Sequence, residues 1–419
     1  MDVQRFAIGD EVFNKDDPVL QIVLEKNYPD GLKPKCMCVR GGVAMYVAKY
    51  GEYLVKRLPD TGPLHHASCP SFELGADESG LGKLLGEAIV EVEGGMEEVS
   101  VNFSMTRRLG KDFPKLKDDK LPPAEMKLPR MLASLRSLIH RVWENAKFNQ
   151  WYPNMGGKRN YYVLRKYLLE AAKKIKIKGM VLQECLYIPE EYKPGDAKEI
   201  TQRRKVLFLQ LHSPDEDVQF KKMIMVGELK EIRTLDTGGY AFIVKHVPDC
   251  QFLVDEKSLD RIVKKYEEEI DMFHTRKGEI KLIVACVFYA RRENIYQIDT
   301  VYLMMVTPTW IPINHGHEAD LVGKLVSDKR TFIKPLQYEE NNPGKFANLV
   351  LRDAGVKSMN LHVTSSFMNE KELASKQKLI HTEGATSWHW DASAEAVPPD
   401  LPKIVERKTS HQQTEKLEA

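Results

Sequence analysis

Apolar and polar positions change rhythm several times along this chain. Val19-Leu20-Gln21-Ile22-Val23-Leu24 is a short, nearly unbroken apolar run, which predicts a strand. Val43-Ala44-Met45-Tyr46-Val47 and Tyr53-Leu54-Val55 flank Lys49-Tyr50-Gly51-Glu52, the pattern of a hairpin. The period then changes. Met131, Leu132, Leu135, Leu138, Ile139 and Val142 recur at three and four, predicting an amphipathic helix over 130–147. A second helix is expected over 160–175, with Tyr161, Leu164, Leu168, Ala171 and Ile175 on one face and Gly179 beyond its end. Strands are expected over 223–231, 240–246, 280–289 and 295–306, with a charged helix over 259–272 between them. Later come a helix over 317–329, strands over 331–338, 347–352 and 359–365, a helix over 369–380 and a strand near 386–391. Strand pairs joined by short turns favour antiparallel sheets, so the fold class is α+β.

Composition narrows the class. The chain has 419 residues, 42% hydrophobic and 29% charged, which excludes global disorder, a collagen-like fibre and a coiled-coil rod. Lys and Arg number 62 against 60 Asp and Glu, so a nucleic-acid or membrane surface would have to be local. The opening MDVQRFAIGDEVF lacks the basic head and apolar core of a signal peptide. No apolar stretch reaches the ~20 residues of a membrane helix. Six cysteines are too sparse for a secreted disulfide scaffold, so a reducing cytoplasm is expected.

The sharpest chemistry is Cys36-Met37-Cys38 followed, beyond the hairpin, by His65-His66-Ala67-Ser68-Cys69. Alternate residues of a straight strand face opposite ways, so Cys36 and Cys38 can share an ion only in a turn. Pro34 and Gly41-Gly42 supply that punctuation. The hairpin would return its far end beside its start. Cys36, Cys38, Cys69 and one imidazole would then close a tetrahedral shell suited to structural zinc. His65 is the expected fourth ligand, with His66 the alternative. The plainer reading is three buried cysteines and two surface histidines.

A second signal is Trp151-Tyr152-Pro153-Asn154-Met155-Gly156-Gly157-Lys158-Arg159-Asn160-Tyr161-Tyr162. The helix it opens carries Lys158, Arg159, Arg165, Lys166, Lys173, Lys174, Lys176 and Lys178 against Glu170 alone. Helix, glycine-containing turn and basic helix is the outline of a helix-turn-helix. Lys158, Arg159, Tyr162, Arg165, Lys166 and Lys173 are the expected contacts to DNA or RNA phosphates and bases. A helical hairpin with a solvated lysine face explains the same pattern.

Catalytic signals are weak. Pro214-Asp215 followed by Glu228-Leu229-Lys230 fits a PD-(D/E)xK nuclease, in which carboxylates hold Mg²⁺ and the lysine positions water. The E-x-K spacing also occurs at Glu125-Lys127, Glu191-Lys193, Glu279-Lys281 and Glu406-Lys408, so chance supplies it. A second placement uses Glu318 and Asp353, but the next strand reads Met359-Asn360-Leu361-His362-Val363, where a working site needs Glu-x-Lys. His315 and His317 beside Glu318 are explained by helix capping. No phosphate-cradling glycine loop, nucleophile elbow or dinucleotide fingerprint is present.

Several segments together resemble a known family. They are the cysteine cluster, Val142-Trp143-Glu144-Asn145-Ala146, Gly157-Lys158-Arg159, Leu168-Leu169-Glu170-Ala171-Ala172 and Val226-Gly227-Glu228-Leu229-Lys230-Glu231. Val244-Lys245-His246-Val247-Pro248-Asp249, Arg330-Thr331-Phe332-Ile333-Lys334-Pro335-Leu336 and Trp388-His389-Trp390-Asp391 extend the likeness. The chain resembles the bacterial domain-of-unknown-function family 1173, whose hallmark is three N-terminal cysteines. That resemblance implies a setting on plasmids and integrative conjugative elements. It supplies no reaction.

The expected organisation is a zinc-ribbon-like β module over 1–105, a Pro-rich charged linker over 106–129 and a helix-turn-helix-like unit over 130–180. An antiparallel α+β domain follows over 181–312, then a smaller α/β unit over 313–396 resembling a degenerate restriction-endonuclease-like fold, then a disordered tail over 397–419. The expected function is zinc-containing, non-enzymatic nucleic-acid binding or scaffolding in a conjugative or integrated element, with no membrane partner. The alternatives are a Mg²⁺-dependent nuclease and a protein-interaction adaptor using the acidic 73–98 stretch.

Overall fold

The computed structural model describes residues 4–28, 31, 33–92, 95–108, 131–212, 219–236, 238–292, 294–338 and 342–405. They form a mixed α+β structure in two compact units, each assembled from separated stretches. One unit comprises Met1–Ser79, Ser327–Pro335 and Asn342–Ala419; the other comprises Gly80–Val326 and Leu336–Asn341. Most of the expected linker, 109–129, lies outside the described residues, as does 406–419 of the expected tail.

The first unit begins with strands β1 (Arg5–Ile8) and β2 (Glu11–Asn14) and helix α1 (Pro18–Asn27). Strands β3 (Lys35–Cys36), β4 (Val43–Tyr50) and β5 (Glu52–Arg57) follow. They make an antiparallel sheet in the order β2-β1-β3-β4-β5, and β4 and β5 are the expected hairpin. The run from Val19 to Leu24 is helical, not a strand. Asp17 accepts from the Val19 amide at 2.9 Å and Pro18 sits in the first turn, a strong start signal. Leu20 and Leu24, one turn apart, are the buried pair, while Val19 and Ile22 are apolar but exposed. Those outward apolar residues hide the helical period from a run-length reading. Phe6, Phe13, Leu20, Leu24, Met45 and Phe72 pack round the buried Cys36 and Cys69.

In the second unit, helix α2 (Leu135–Asn145) is capped by Ser134, whose hydroxyl accepts from the Ser137 amide at 3.1 Å. It starts later than expected, because Met131 and Leu132 remain exposed. Helix α3 (Tyr161–Ala172) is capped by Asn160 and buries Tyr161, Leu164, Leu168 and Ala171. Ile175 belongs to a strand, Ile175–Ile177, that pairs in parallel with Met96–Val99. Residues 146–160 separate the helices, far more than the roughly 3–4 residues of a helix-turn-helix turn. The two helices are therefore a helical pair joined by a long loop.

This unit also contains a closed barrel. Its strands are β6 (Met223–Thr234), β7 (Tyr240–Val244), β8 (Gln251–Val254), β9 (Lys281–Arg292) and β10 (Ile295–Val306). The order is β6-β7-β8-β10-β9, and β9 pairs back with β6. All contacts are antiparallel except β8 with β10, which is parallel. Closure is possible because β6 changes partner along its length. Met223 to Glu228 pair with β9, and a bulge between Leu229 and Glu231 turns the rest onto β7. Phe252, Phe288 and Tyr296 of its strands cluster, mostly edge to face, with ring centroids 5.2–5.5 Å apart. Between β8 and β9 lie α4 (Glu256–Lys265) and α5 (Glu267–Thr275), which break the expected 259–272 helix at buried Tyr266. Helix α2 packs on the barrel: His140 Nε2 lies 2.7 Å from the Tyr302 hydroxyl, and Trp143 Nε1 donates to the Trp310 carbonyl at 3.2 Å. Helix α6 (Gly316–Ser327) follows.

The chain then returns to the first unit with strands β11 (Phe332–Ile333), β12 (Leu349–Leu351) and β13 (Met359–Thr364), helix α7 (Glu370–Glu383) and strand β14 (Ser387–Asp391). These strands lie in the order β14-β13-β12-β11, with β13 and β14 parallel. Residues 397–405, expected in the disordered tail, are described. The Trp388 indole donates to the Asp400 carbonyl at 3.0 Å and the Val405 amide to the Asp353 carbonyl at 2.8 Å.

Candidate metal centre

Two turns build the centre. Cys36 ends β3 and Cys38 lies in the turn after it, where Gly41 and Gly42 take left-handed φ of 86° and 70°. His65 follows the short helix Gly62–Leu64, and Cys69 lies in a turn whose amide donates to the His66 carbonyl at 2.8 Å. The turns bring Cys36, Cys38, His65 and Cys69 together, all buried, with their donor atoms within 4.8 Å of one another. Cys36 Sγ and Cys69 Sγ are 3.7 Å apart. His65 Nδ1 lies 3.2 Å from Cys38 Sγ and 3.7 Å from Cys69 Sγ. A tetrahedral zinc with thiolates at about 2.3 Å holds its sulfurs about 3.8 Å apart, so these spacings fit one central ion.

His66 is not part of the set. Its Nδ1 lies 3.1 Å from the Ser68 amide and 2.9 Å from the Ser68 hydroxyl. The H-x3-C spacing from His65 to Cys69 favoured His65 over His66, and it is His65 that the turn groups with the cysteines.

Electrostatics asks for a cation here. Hydrogen bonds from Cys38 and Cys69 drive Cys36 far toward its thiolate, while the same sharing drives Cys69 far the other way. Burial alone would lower His65, but the Cys36 and Cys38 sulfurs outweigh it and lift the imidazole to about 9. Three thiols packed this closely cannot all ionise unless a positive ion neutralises them. Donors already point at the sulfurs. Gln4 Nε2 lies 3.5 Å from Cys36, the His66 amide 3.4 Å from Cys38 and the Ser71 amide 3.4 Å from Cys69.

Arg352, 1% exposed, braces the second turn. Its Nε donates to the Ala67 carbonyl and its Nη2 to the Cys69 carbonyl, both at 2.7 Å, and its guanidinium lies 5.1 Å from the Phe72 ring centre. The Ala67 amide donates to the Val356 carbonyl at 3.0 Å. Sequence reasoning missed Gln4 and Arg352. Neither lies in a local pattern with the cysteines.

The remaining expected site residues are dispersed. Lys158, Tyr162, Lys166 and Lys173 are exposed. Arg159 is instead a clamp: it donates to the Lys147 carbonyl at 3.0 Å, to Phe148 and Thr309 at 3.4 Å and also to Gln150. Burial pushes its pKa down to about 10. Arg165 donates to the Ile188 carbonyl at 3.0 Å. These two guanidiniums hold the loop and the strand region. Asp215 lies outside the described residues. Glu228 pairs with Lys245 at 3.0 Å, and Lys230 is exposed beyond it on β6. Glu318, fully buried, accepts from the Asn314 amide at 2.7 Å. Asp353 is gripped by Arg330 at 2.8 Å and the Thr331 amide at 2.6 Å. Each described carboxylate of the nuclease reading therefore already has a partner.

Fold and site define an α+β protein organised around a buried three-cysteine, one-histidine cluster. The chain belongs to the family described as Protein of unknown function (DUF1173), whose model matches residues 6–393. Neither the curated proteins nor the solved structures contain a match. No helix among the described residues is long and apolar enough to cross a membrane.

Proposed function

We propose that this protein is a non-enzymatic nucleic-acid-binding protein whose first unit is held together by a structural zinc ion. The convergence of Cys36, Cys38, His65 and Cys69 on one centre carries the zinc assignment. Three thiolates and an imidazole leave no ligand position open, so zinc here fixes structure and does not present a reactive water. Its binding energy is then largely folding energy.

Binding of nucleic acid is supported by the exposed stripe of α3. Tyr162 and Lys166 lie one turn apart on α3, Lys158 is exposed in the turn before it and Lys173 at its C-terminal cap, and Tyr162 is 61% exposed. Lysines beside outward-facing tyrosines suit a backbone contact with bases stacked on the rings. The barrel adds an argument from topology. It runs first, second, third, fifth, fourth strand and back to the first, with a parallel third–fifth pair and helices between third and fourth. This is the order of oligonucleotide-binding barrels. Fold analogy supports a function without assigning it.

The test is elemental analysis of the purified protein together with a gel shift of single- and double-stranded DNA and RNA. One zinc per chain and a salt-sensitive shift weakened by Lys158→Glu and Lys166→Glu are expected. A metal-free protein with unperturbed folding, or no shift of any nucleic acid at low salt, refutes the corresponding half.

A further inference from the structure

A cleft of about 630 Å³ opens in the second unit where β6 leaves β9 and turns onto β7. That volume falls within the roughly 300–1,000 Å³ of small-molecule sites. Lys230, Lys245, Lys277 and Lys281 line it against one acid, Glu228, whose carboxylate is held 3.0 Å from Lys245. The cleft is thus strongly positive although the chain as a whole is nearly neutral. Lys281 is half-buried with its Nζ 3.6 Å from the Trp310 ring centre, and burial lowers its pKa. An ammonium in that position gains from an anion that replaces the water it has lost.

The cleft also has ring surface. Tyr192 and Phe273 lie in its wall, Tyr192 47% exposed. His246 also lines the cleft, and its backbone φ is +70°, uncommon for a residue with a side chain. The conformation is held from two directions. The Tyr192 amide donates to His246 Nδ1 at 3.2 Å, and the imidazole lies against the Tyr161 ring at 4.4 Å between centroids. With Nδ1 accepting, a neutral ring carries its proton on Nε2. Burial and then Lys245 lower its pKa, so the ring stays neutral near pH 7. A strained residue fixed on both sides, in a cleft with converging cations, marks a pre-built site.

We infer that this cleft binds a nucleoside phosphate, with the phosphate among the lysines and the base against Tyr192 and Phe273. The ligand is either a free nucleotide or the phosphorylated end of a strand. Only the second source rests on the nucleic-acid reading above; a free nucleotide can occupy the cleft if that reading fails.

The test is calorimetric titration of the full chain at about 50 mM salt. The probes are a nucleoside monophosphate, the unphosphorylated nucleoside, inorganic phosphate and a short 5′-phosphorylated oligothymidine. The variants are Lys230→Glu with Lys277→Glu, both exposed, and separately Lys158→Glu with Lys166→Glu on α3. The expected result is that the nucleotide binds more tightly than either phosphate or nucleoside. The cleft variant should weaken it by about tenfold or more and the α3 variant should leave it unchanged. Equal affinity for phosphate and nucleotide overturns the inference, as does nucleotide binding that survives both cleft substitutions. If the oligothymidine binds but depends on α3 alone and the free nucleotide does not bind, the cleft assignment fails while the nucleic-acid reading stands.

Discussion

Arg352 Nη2 donates to the Cys69 carbonyl at 2.7 Å, joining two residues 283 positions apart. The ligand turn is therefore clamped from the far end of its own unit. The same guanidinium reaches the Ala67 carbonyl, so both carbonyls flanking Ser68 depend on it.

Arg352→Met should leave those carbonyls buried without their charged donor. A loss on the order of 3 kcal/mol is expected. Zinc should also leave faster to a competing chelator, read with a metallochromic dye. Arg352→Lys should rescue little, because an ammonium is a point donor and cannot reproduce the planar fork. Unchanged metal release in both variants would show that the brace is irrelevant to the centre.

The two histidines should separate cleanly. His65→Ala or Cys38→Ser should abolish stoichiometric zinc, while His66→Ala should retain one ion per chain. The His66 imidazole is engaged with Ser68, and its contact to Cys38 runs through the backbone amide, which alanine keeps. Metal content by mass spectrometry of the native protein gives the answer directly.

The first unit should also lose stability in acid for a reason separate from the metal. Burial would raise the Glu383 pKa, but hydrogen bonds from His362 and Asn360 outweigh it and hold the carboxyl below its ordinary range. A depressed folded pKa contributes stability above the unfolded value of about 4.3 and loses it as pH falls through the folded value. Glu383→Gln should flatten that part of the stability profile below about pH 4.3, measured by denaturant midpoint at fixed zinc. An identical acid slope in the variant would remove this pair as its source.

Basic residues at the start of α3 should divide by role. Arg159→Ala should destabilise the second unit by about 2 kcal/mol or more, since the clamp on several carbonyls is lost. Lys166→Glu and Tyr162→Ala should stay within about 0.5 kcal/mol of the parent, as exposed positions do. Differential scanning calorimetry distinguishes them. Only the latter two test nucleic-acid contact without confounding it with folding.

The cysteine–histidine cluster was legible because its members are close in sequence and chemically distinctive. Cys36-Met37-Cys38 and His65 to Cys69 each fit within one turn, and the hairpin between them has a plain signature. The helices α2 and α3 were legible for a similar reason: one face is apolar and each cap is a serine or asparagine. What failed was pattern without punctuation. The run at Val19 is apolar on several sides, so run length misled where the Asp17-Pro18 start signal was correct. The barrel could not be foreseen as closed. Four of its five strands were placed, Gln251–Val254 being missed, and β6 serves two neighbours by pairing with β9 up to Glu228 and with β7 from Leu229. Arg352 was invisible because nothing in a linear sequence ties it to Cys69.

The unit that carries the cysteines is completed by segments that follow the barrel strands in sequence. During synthesis, Cys36, Cys38 and Cys69 emerge long before Arg352 and Val356. Until then the four side chains stand without the brace on the Ala67 and Cys69 backbone, and the thiols are more open to oxidation. Cells making this protein under oxidative stress should therefore lose nascent molecules more readily than finished ones.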